Sequence, residues 1–125
     1  SKNYGVLIVL GPITAERLGD EYFTIELDCI AVKGKKEGVT IYTVFYNPDE
    51  AHINEWVEAR EKHNLMLQYY RKQDWNKAIK LVNELKGQFN GGMDHYYELW
   101  LERIEEMRNA GLPKDWDGVF RALTK

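Results

Sequence analysis

The sequence is poor in cysteine and proline and has no long apolar run. Its single cysteine, Cys29, cannot form an internal disulfide bond, which fits a reducing compartment. No apolar run approaches the roughly 20 residues that cross a bilayer, and no secretory signal pattern opens the chain. We therefore expect a cytoplasmic chain without membrane contact from this segment. The net charge of −3 also argues against binding to nucleic acid.

What the chain has in quantity is apolar and aromatic side chains. Of its 125 residues, 44% are hydrophobic and 13% aromatic, including four Trp and eight Tyr. This composition is typical of a folded globular chain, and so much aromatic area can build a core in a small space.

The first third of the chain predicts a strand, a short helix and a β-hairpin. Residues 6–10 form an apolar run that is typical of a buried strand, and residues 14–18 predict a helical turn. Alternating side chains at 22–32 and 39–46 predict two strands joined by a glycine-containing turn. The alternation changes phase after Cys29, which predicts a bulge or strong twist there.

After the hairpin the pattern becomes helical. Apolar spacing predicts a first helix over residues 49–72, with a break near His63, and a last helix over residues 94–110. Between them, a buried stripe from Trp75 to Leu85 predicts a second helix with Asp74 as its N-cap.

Two stretches resemble one protein family. Residues 4–46, with Val32-Lys33-Gly34-Lys35 leading into the second strand, resemble the final strand, helix and hairpin of the class III adenylate/guanylate cyclase catalytic domain. The segment from Tyr69 to the sequence Asp115-Trp116-Asp117-Gly118-Val119 resembles the tetratricopeptide-like helical tail of many bacterial members. Gly38 departs from the family, where proline is frequent. The resemblance implies an α+β fold, with the end of the catalytic domain at residues 1–47 and the helical tail at residues 48–125.

The resemblance also implies a reaction. The intact protein would convert ATP, favoured over GTP, into the 3′,5′-cyclic nucleotide and pyrophosphate for signal transduction. Two divalent ions, Mg²⁺ or Mn²⁺, assist such chemistry. The family's metal carboxylates and its Asn/Arg pair precede the matching segment, so we expect no catalytic residue, no bound metal and no cyclase activity in these 125 residues alone. An upstream membrane anchor stays open.

One ligand contact follows from the resemblance. Lys33 matches the lysine that contacts the terminal phosphates of the nucleotide, and Lys35 is the second, less favoured candidate. An ammonium beside Gly34 can approach phosphate oxygens without obstruction and acts there as a point charge. The alternative is that these lysines only solvate an exposed turn.

Three further residue types carry weaker signals. His52, His63 and His95 are too scattered to indicate a zinc site, so we expect exposed or capping histidines. Trp75 and Trp116 are interpreted as packing residues. The Asp115–Asp117 pair predicts a turn held by side-chain hydrogen bonds, since two carboxylates are too few for calcium.

A different class of function is also compatible with the sequence. The helices could form a protein–protein interaction or dimerisation module without a catalytic role. Strands taken from a larger sheet leave an unpaired edge and an apolar face. We therefore expect either that the helices cover that face or that the chain self-associates, as a homodimer.

Overall fold

The computed structural model describes residues 7–32 and 34–121, which form a mixed α+β fold, as predicted. The elements in chain order are β1 (Val9–Leu10), α1 (Pro12–Glu16), β2 (Tyr22–Ile30), β3 (Val39–Tyr46), α2 (Ile53–Arg71), α3 (Trp75–Leu85), a 3-10 turn (Phe89–Gly91) and α4 (Asp94–Ala110).

The strands form an antiparallel sheet in the order β1-β3-β2. The hairpin is confirmed, with Tyr22 opposite Tyr46 at one end and Ile30 opposite Val39 at the other. The bulge lies at Leu27, two residues before the predicted position, because the register shifts between Glu26 and Asp28. The extra residue turns both Leu27 and Asp28 to the buried side, which explains the change of phase in the sequence.

The first two elements are shorter or earlier than predicted. β1 has two residues, Val9 and Leu10. α1 begins at Pro12, which suits the first helical position because proline has no N–H to leave unpaired. The helix ends at Glu16 with Arg17 as its C-cap, so the prediction that it extends to Leu18 was wrong.

The helical half follows the predicted spacing with two corrections. α4 has the predicted bounds and ends at Gly111, whose φ of 70° is the left-handed conformation of a helix C-cap. α2 begins at Ile53 and runs unbroken through His63, so the predicted break was wrong. Asp74 occupies the N-cap position of α3, as predicted, although its side chain makes no capping hydrogen bond and lies 3.7 Å from the ammonium of Lys77.

One hydrophobic core joins the sheet to the helices. Phe23, Ile25 and Leu27 of β2 belong to the same buried cluster as Met66 of α2 and Ile104 of α4. The helices therefore cover the apolar face of the sheet, which is one of the two arrangements expected from the sequence. Within the described residues, no helix combines the length and apolarity needed to cross a membrane.

Candidate functional site

The turn between β2 and β3 carries the sequence-predicted phosphate contact. Lys33 itself lies outside the described residues, and the structure describes its neighbours. Gly34 has a φ of 85°, a backbone conformation that favours glycine. The backbone N–H of Lys35 donates to the carbonyl of Val32 at 3.0 Å, and Lys35 is exposed. The described residues of the turn, 32 and 34–38, are therefore exposed, and a hydrogen bond joins Lys35 to Val32.

A C-terminal segment, residues 115–121, lies against the arm of the turn that precedes Lys33. The N–H of Phe120 donates to the carbonyl of Cys29 at 2.8 Å, and the N–H of Ala31 donates to the carbonyl of Phe120 at 3.1 Å. These bonds form a parallel bridge between Phe120 and Ile30. The last residues of β2 are thus held on their outer side.

The same segment contacts the arm that follows Lys33. Arg121 donates from Nη2 to the carbonyl of Lys36 at 2.8 Å. Val119 packs so closely on Gly38 that an added Cβ would lie 2.7 Å from Val119 Cγ2 and 2.7 Å from Cys29 Sγ. A side chain at position 38 would therefore displace Val119 and Cys29.

Short hydrogen bonds shape the segment internally. Asp117 Oδ1 accepts from the N–H of Val119 at 3.0 Å, which confirms the predicted side-chain turn. Asp117 Oδ2 also accepts from Arg121 at 3.0 Å, and this bond lowers the pKa of the Asp117 carboxyl. The indole N–H of Trp116 donates to the carbonyl of Val119 at 2.9 Å. The segment therefore presents Arg121 in a defined orientation.

Aromatic packing anchors the segment to the helices. The ring of Trp116 meets that of Tyr70 edge to face, with centroids 5.3 Å apart, and lies 6.4 Å from that of Trp75. Tyr70 in turn packs edge to face on Trp100 of α4 at 4.3 Å. The prediction that Trp75 and Trp116 are packing residues is confirmed.

A buried ion pair lies beneath the segment. The carboxylate of Asp28 has no exposed area and pairs with Arg103 of α4, whose side chain is 13% exposed. The Arg103 guanidinium also lies 3.7 Å from the centroid of the Phe120 ring. Asp28 Oδ1 accepts from the N–H of Cys29 at 2.8 Å. A buried carboxylate needs such partners, because burying an unpaired charge is very costly.

Sequence reasoning missed this pair, although a signal existed. Asp28 lies where the alternation of β2 slips, and the slip turns it inward. Arg103 lies beside Ile104 and three residues after Trp100, on the edge of the apolar stripe of α4. Asp28 and Arg103 are thus opposite charges that each border a buried apolar surface, and this pattern was the signal for a buried ion pair.

Along β2, helix side chains bind backbone carbonyls. Arg60 and His63 of α2 and Tyr96 of α4 each donate to one carbonyl of the strand. The bonds are Arg60 Nη1 to Thr24 at 3.0 Å, His63 Nε2 to Glu26 at 2.6 Å and Tyr96 Oη to Leu27 at 2.5 Å. Together with Phe120 they close this edge of the sheet, which we name the closed edge (residues 24–31).

His63 corrects a prediction. It is fully buried, and burial lowers the pKa of its imidazole from 6.5 to about 4. Because Nε2 contacts a carbonyl, which only accepts, it carries the proton, and Nδ1 accepts from the hydroxyl of Tyr97 at 2.8 Å. His52 and His95 are exposed, as predicted. The spacing of His63 from Ala59 and Met66, at four and three residues, had placed it on the buried stripe.

A concave surface lies between α2 and α3, and its charge suits a nucleotide poorly. Its lining includes Glu55, Glu58 and Glu61 against one lysine, Lys62, with Leu65 on its apolar side. Three carboxylates repel a triphosphate. Over residues 7–32 and 34–121, no three His, Cys, Asp or Glu side chains are grouped to hold a metal ion.

Comparisons with protein-family models, with curated proteins and with solved structures found no match to this chain.

Proposed function

We propose that this chain is the C-terminal part of a class III nucleotidyl cyclase, cytoplasmic in location, in which Lys33 contacts the terminal phosphates of a nucleoside triphosphate. The observation that carries the proposal is the turn at residues 32–38. Its described residues, 32 and 34–38, are exposed, Gly34 has a φ of 85°, and the C-terminal segment contacts both arms. The order of the two sequence stretches that resemble the family supports the same conclusion.

The proposed reaction joins the ribose 3′-oxygen to the α-phosphate and releases pyrophosphate. Two divalent ions, bound by residues upstream of the matching segment, would activate the attacking oxygen. Lys33 would balance the negative charge that grows on the leaving pyrophosphate, as a point charge on its oxygens. ATP is favoured over GTP, and the base-contacting residues belong to the upstream part.

Self-association is part of the proposal. The outer side of β3 is covered by β1 only at Thr43 and Tyr42 within the described residues. We name this side the open edge. Val39 and Tyr46, at the two ends of β3, are 46% and 75% exposed. An unpaired strand edge with exposed apolar side chains favours continuation of the sheet in the intact enzyme or pairing with a second copy.

We also propose that the helices are tetratricopeptide-like, because α3 packs against both α2 and α4. Because their apolar faces cover the sheet, we assign them to support of the catalytic domain. Substitution of Trp100, which is fully buried at the centre of this packing, is expected to reduce stability rather than catalysis.

Charge reversal at Lys33 tests the function. In the intact enzyme, Lys33→Glu is expected to lower kcat/KM about tenfold or more, since it replaces a favourable charge–phosphate contact by repulsion. Lys86→Glu is the matched control, because Lys86 is exposed at the end of α3. Unchanged kinetics for Lys33→Glu would contradict the proposal and favour the interaction-module alternative.

The 125-residue chain provides a second test. Incubated with Mg²⁺ or Mn²⁺ and either ATP or GTP, it is expected to form no cyclic nucleotide. Product formation by the purified chain would show that the metal-binding carboxylates lie within it, against the proposal.

A further inference from the structure

We propose that the surface under the C-terminal segment is a docking site for a peptide segment, and that it accepts the same segment from a second copy of this chain. In the structure the chain's own residues 115–121 occupy the site. The site involves no nucleotide, so it does not depend on the function proposed for Lys33.

The closed edge is protected in two different ways along its length. Over residues 24–27, the carbonyls of the strand bind side chains of α2 and α4, two helices that belong to the shared core. Farther along, the carbonyl of Cys29 and the N–H of Ala31 bond to the backbone of Phe120. Among the described residues, this last part of the edge depends on the segment for these backbone bonds. Without the segment it offers hydrogen-bonding groups to another chain.

Two aromatic side chains of the segment fit separate parts of the site. The Trp116 ring lies in a corner between Tyr70 and Trp75, with ring centroids 5.3 and 6.4 Å away. The Phe120 ring packs on Arg103, whose guanidinium lies 3.7 Å from the ring centroid. Aromatic pairs and cation–π contacts both depend on geometry as well as on buried area. The site therefore recognises a segment that carries two aromatic side chains four residues apart.

The floor of the site next to Phe120 is an ion pair rather than an apolar surface. Arg103 pairs there with the buried carboxylate of Asp28. Water that enters when the segment leaves hydrates these charges, which returns part of the free energy that their burial cost. Opening the core brings no such return, because it exposes apolar side chains. We therefore expect the segment to open at a lower free energy than the core, as a local event.

The segment holds its own shape through internal hydrogen bonds. The indole N–H of Trp116 donates to the carbonyl of Val119 at 2.9 Å, and the N–H of Val119 donates to Oδ1 of Asp117 at 3.0 Å. Asp117 Oδ2 accepts from Arg121 at 3.0 Å. A ligand that is ordered before it binds loses less conformational entropy on binding. The segment can therefore dock as a unit, whichever copy it belongs to.

The link between α4 and the segment permits this exchange. It spans residues 111–114 and begins at Gly111, whose φ of 70° turns the chain where α4 ends. A link that straightens at Gly111 carries the segment away from its own site, and the same contacts then form in a second copy. At low concentration the chain's own segment prevails, because a short tether holds it at a millimolar effective concentration. Exchange between copies is therefore expected as the protein approaches about 1 mM.

Cys29 provides a reporter for the departure of the segment. It is the single cysteine of the chain and is half-buried. Its Sγ and Val119 Cγ2 would each lie 2.7 Å from a Cβ added at Gly38, so the thiol lies next to the segment. A soluble aromatic disulfide reagent, which forms a mixed disulfide with the thiol, therefore measures how often the segment opens.

Phe120→Ala tests whether the segment covers this thiol. The variant removes the ring that packs on Arg103, and it is expected to raise the labelling rate of Cys29 about tenfold. Asp115→Ala is the matched control, because Asp115 is exposed on the same segment, and its rate should equal that of the wild type. Circular dichroism melts identify the temperature range in which every variant is folded.

Arg121→Ala is a second variant that leaves the buried contacts in place. It removes the exposed bond to the carbonyl of Lys36, and the labelling rate of Cys29 is expected to rise roughly threefold. For both variants the rate should depend on urea less steeply than global unfolding does. An unchanged rate in both variants, or labelling that requires global unfolding, would overturn the proposal.

A synthetic peptide of residues 113–121 tests docking from a separate molecule. Added to the full chain carrying Phe120→Ala, it is expected to slow the labelling of Cys29 in a saturable way, because it fills the weakened site. A control peptide with alanine in place of both Trp116 and Phe120 is expected to give no protection. Absence of protection by the unmodified peptide up to about 1 mM would show that the site does not accept a segment from another molecule.

Light scattering identifies the second copy as the occupant. The wild-type chain at about 1 mM is expected to form dimers, and the peptide of residues 113–121 is expected to dissociate them by competing for the site. A chain that stays monomeric at this concentration would contradict the exchange between copies. Dimers that the peptide leaves intact would contradict it as well, because they would use another surface such as the open edge.

Discussion

The outer side of β2 and the side of β3 that faces β1 differ in how far other elements cover them. Along the closed edge, carbonyls of β2 receive hydrogen bonds from α2, from α4 and from the C-terminal segment. Along the open edge, β1 pairs with β3 at Thr43 and Tyr42 within the described part of the chain. Natural proteins protect exposed strand edges because these recruit other strands. The contrast therefore marks β2 as the protected edge of the sheet, and among the described residues it leaves the part of β3 that β1 does not cover open to pairing with another strand.

The largest expected effect on stability comes from removing the guanidinium of Arg103, which lies next to the closed edge. Arg103→Met leaves the fully buried carboxylate of Asp28 without its ion pair and is expected to cost about 3–5 kcal/mol of unfolding free energy. Urea denaturation measures this. Arg108→Met is the control and is expected to change stability by less than about 0.5 kcal/mol, because its ion pair is exposed. A loss below about 1 kcal/mol for Arg103→Met would contradict the role given to this pair.

The next largest effect is a pH dependence of stability that comes from His63, at the same edge. The pKa of His63 is about 4 in the folded chain against 6.5 when exposed, because burial disfavours the cation. Between these values the unfolded chain binds more protons, so stability is fully present above about pH 6.5 and falls as the pH drops towards 4. The loss is on the order of 3 kcal/mol. Urea midpoints measured across this range should reveal it.

His63→Gln provides the control for that titration. Glutamine has an N–H donor for the carbonyl of Glu26 and does not ionise. The slope of stability between pH 6.5 and 4 should become shallower, and the remaining slope reports the exposed carboxylates whose pKa is lowered, such as Asp117. An unchanged slope would mean that His63 is not the titrating group.

A smaller gain is expected at the centre of the sheet. The hydroxyl of Thr43 is fully buried and has no hydrogen-bond partner among the described residues. Thr43→Val removes this hydroxyl and is expected to raise the unfolding free energy by about 1 kcal/mol. Thr40→Val is the control variant, because Thr40 lies at a half-buried position of the same strand. Loss of stability in Thr43→Val would indicate that the hydroxyl has a partner.

The smallest effect on stability is expected on the open edge, where association is the property to measure. Val39→Lys is expected to change the unfolding free energy by less than about 0.5 kcal/mol, because Val39 is 46% exposed. A charge on an exposed edge opposes pairing with another chain, so self-association should weaken. Light scattering over a range of concentrations measures this. Equal association of Val39→Lys and the wild type would place any interface elsewhere.

The elements that the sequence predicts well are those specified locally. Alternating side chains define β2 and β3, and α4 is bounded by Asp94 at its start and by Gly111 and Pro113 after its end. Such signals need only neighbours within a few residues. The bounds of α1 were less well predicted, because five residues offer little periodicity.

What the sequence conceals depends on distant partners. His63 bonds a carbonyl 37 residues away, and Asp28 pairs with an arginine 75 residues away. Arg121 reaches Lys36 across 85 residues. No local pattern encodes these pairings, so a helix break was predicted where a buried histidine lies. Lys33 as a phosphate contact came from the family resemblance alone and stays a proposal.

The central claim is that the closed edge joins sheet and helices into one cooperative unit that holds the turn. Native-state hydrogen exchange in low concentrations of urea tests it most directly. The amides of Ile25 in β2 and Ile104 in α4, both in the shared core, are expected to exchange with the same free energy and the same urea dependence. Exchange at Ile25 through a separate, lower-energy opening while Ile104 stays protected would contradict the account.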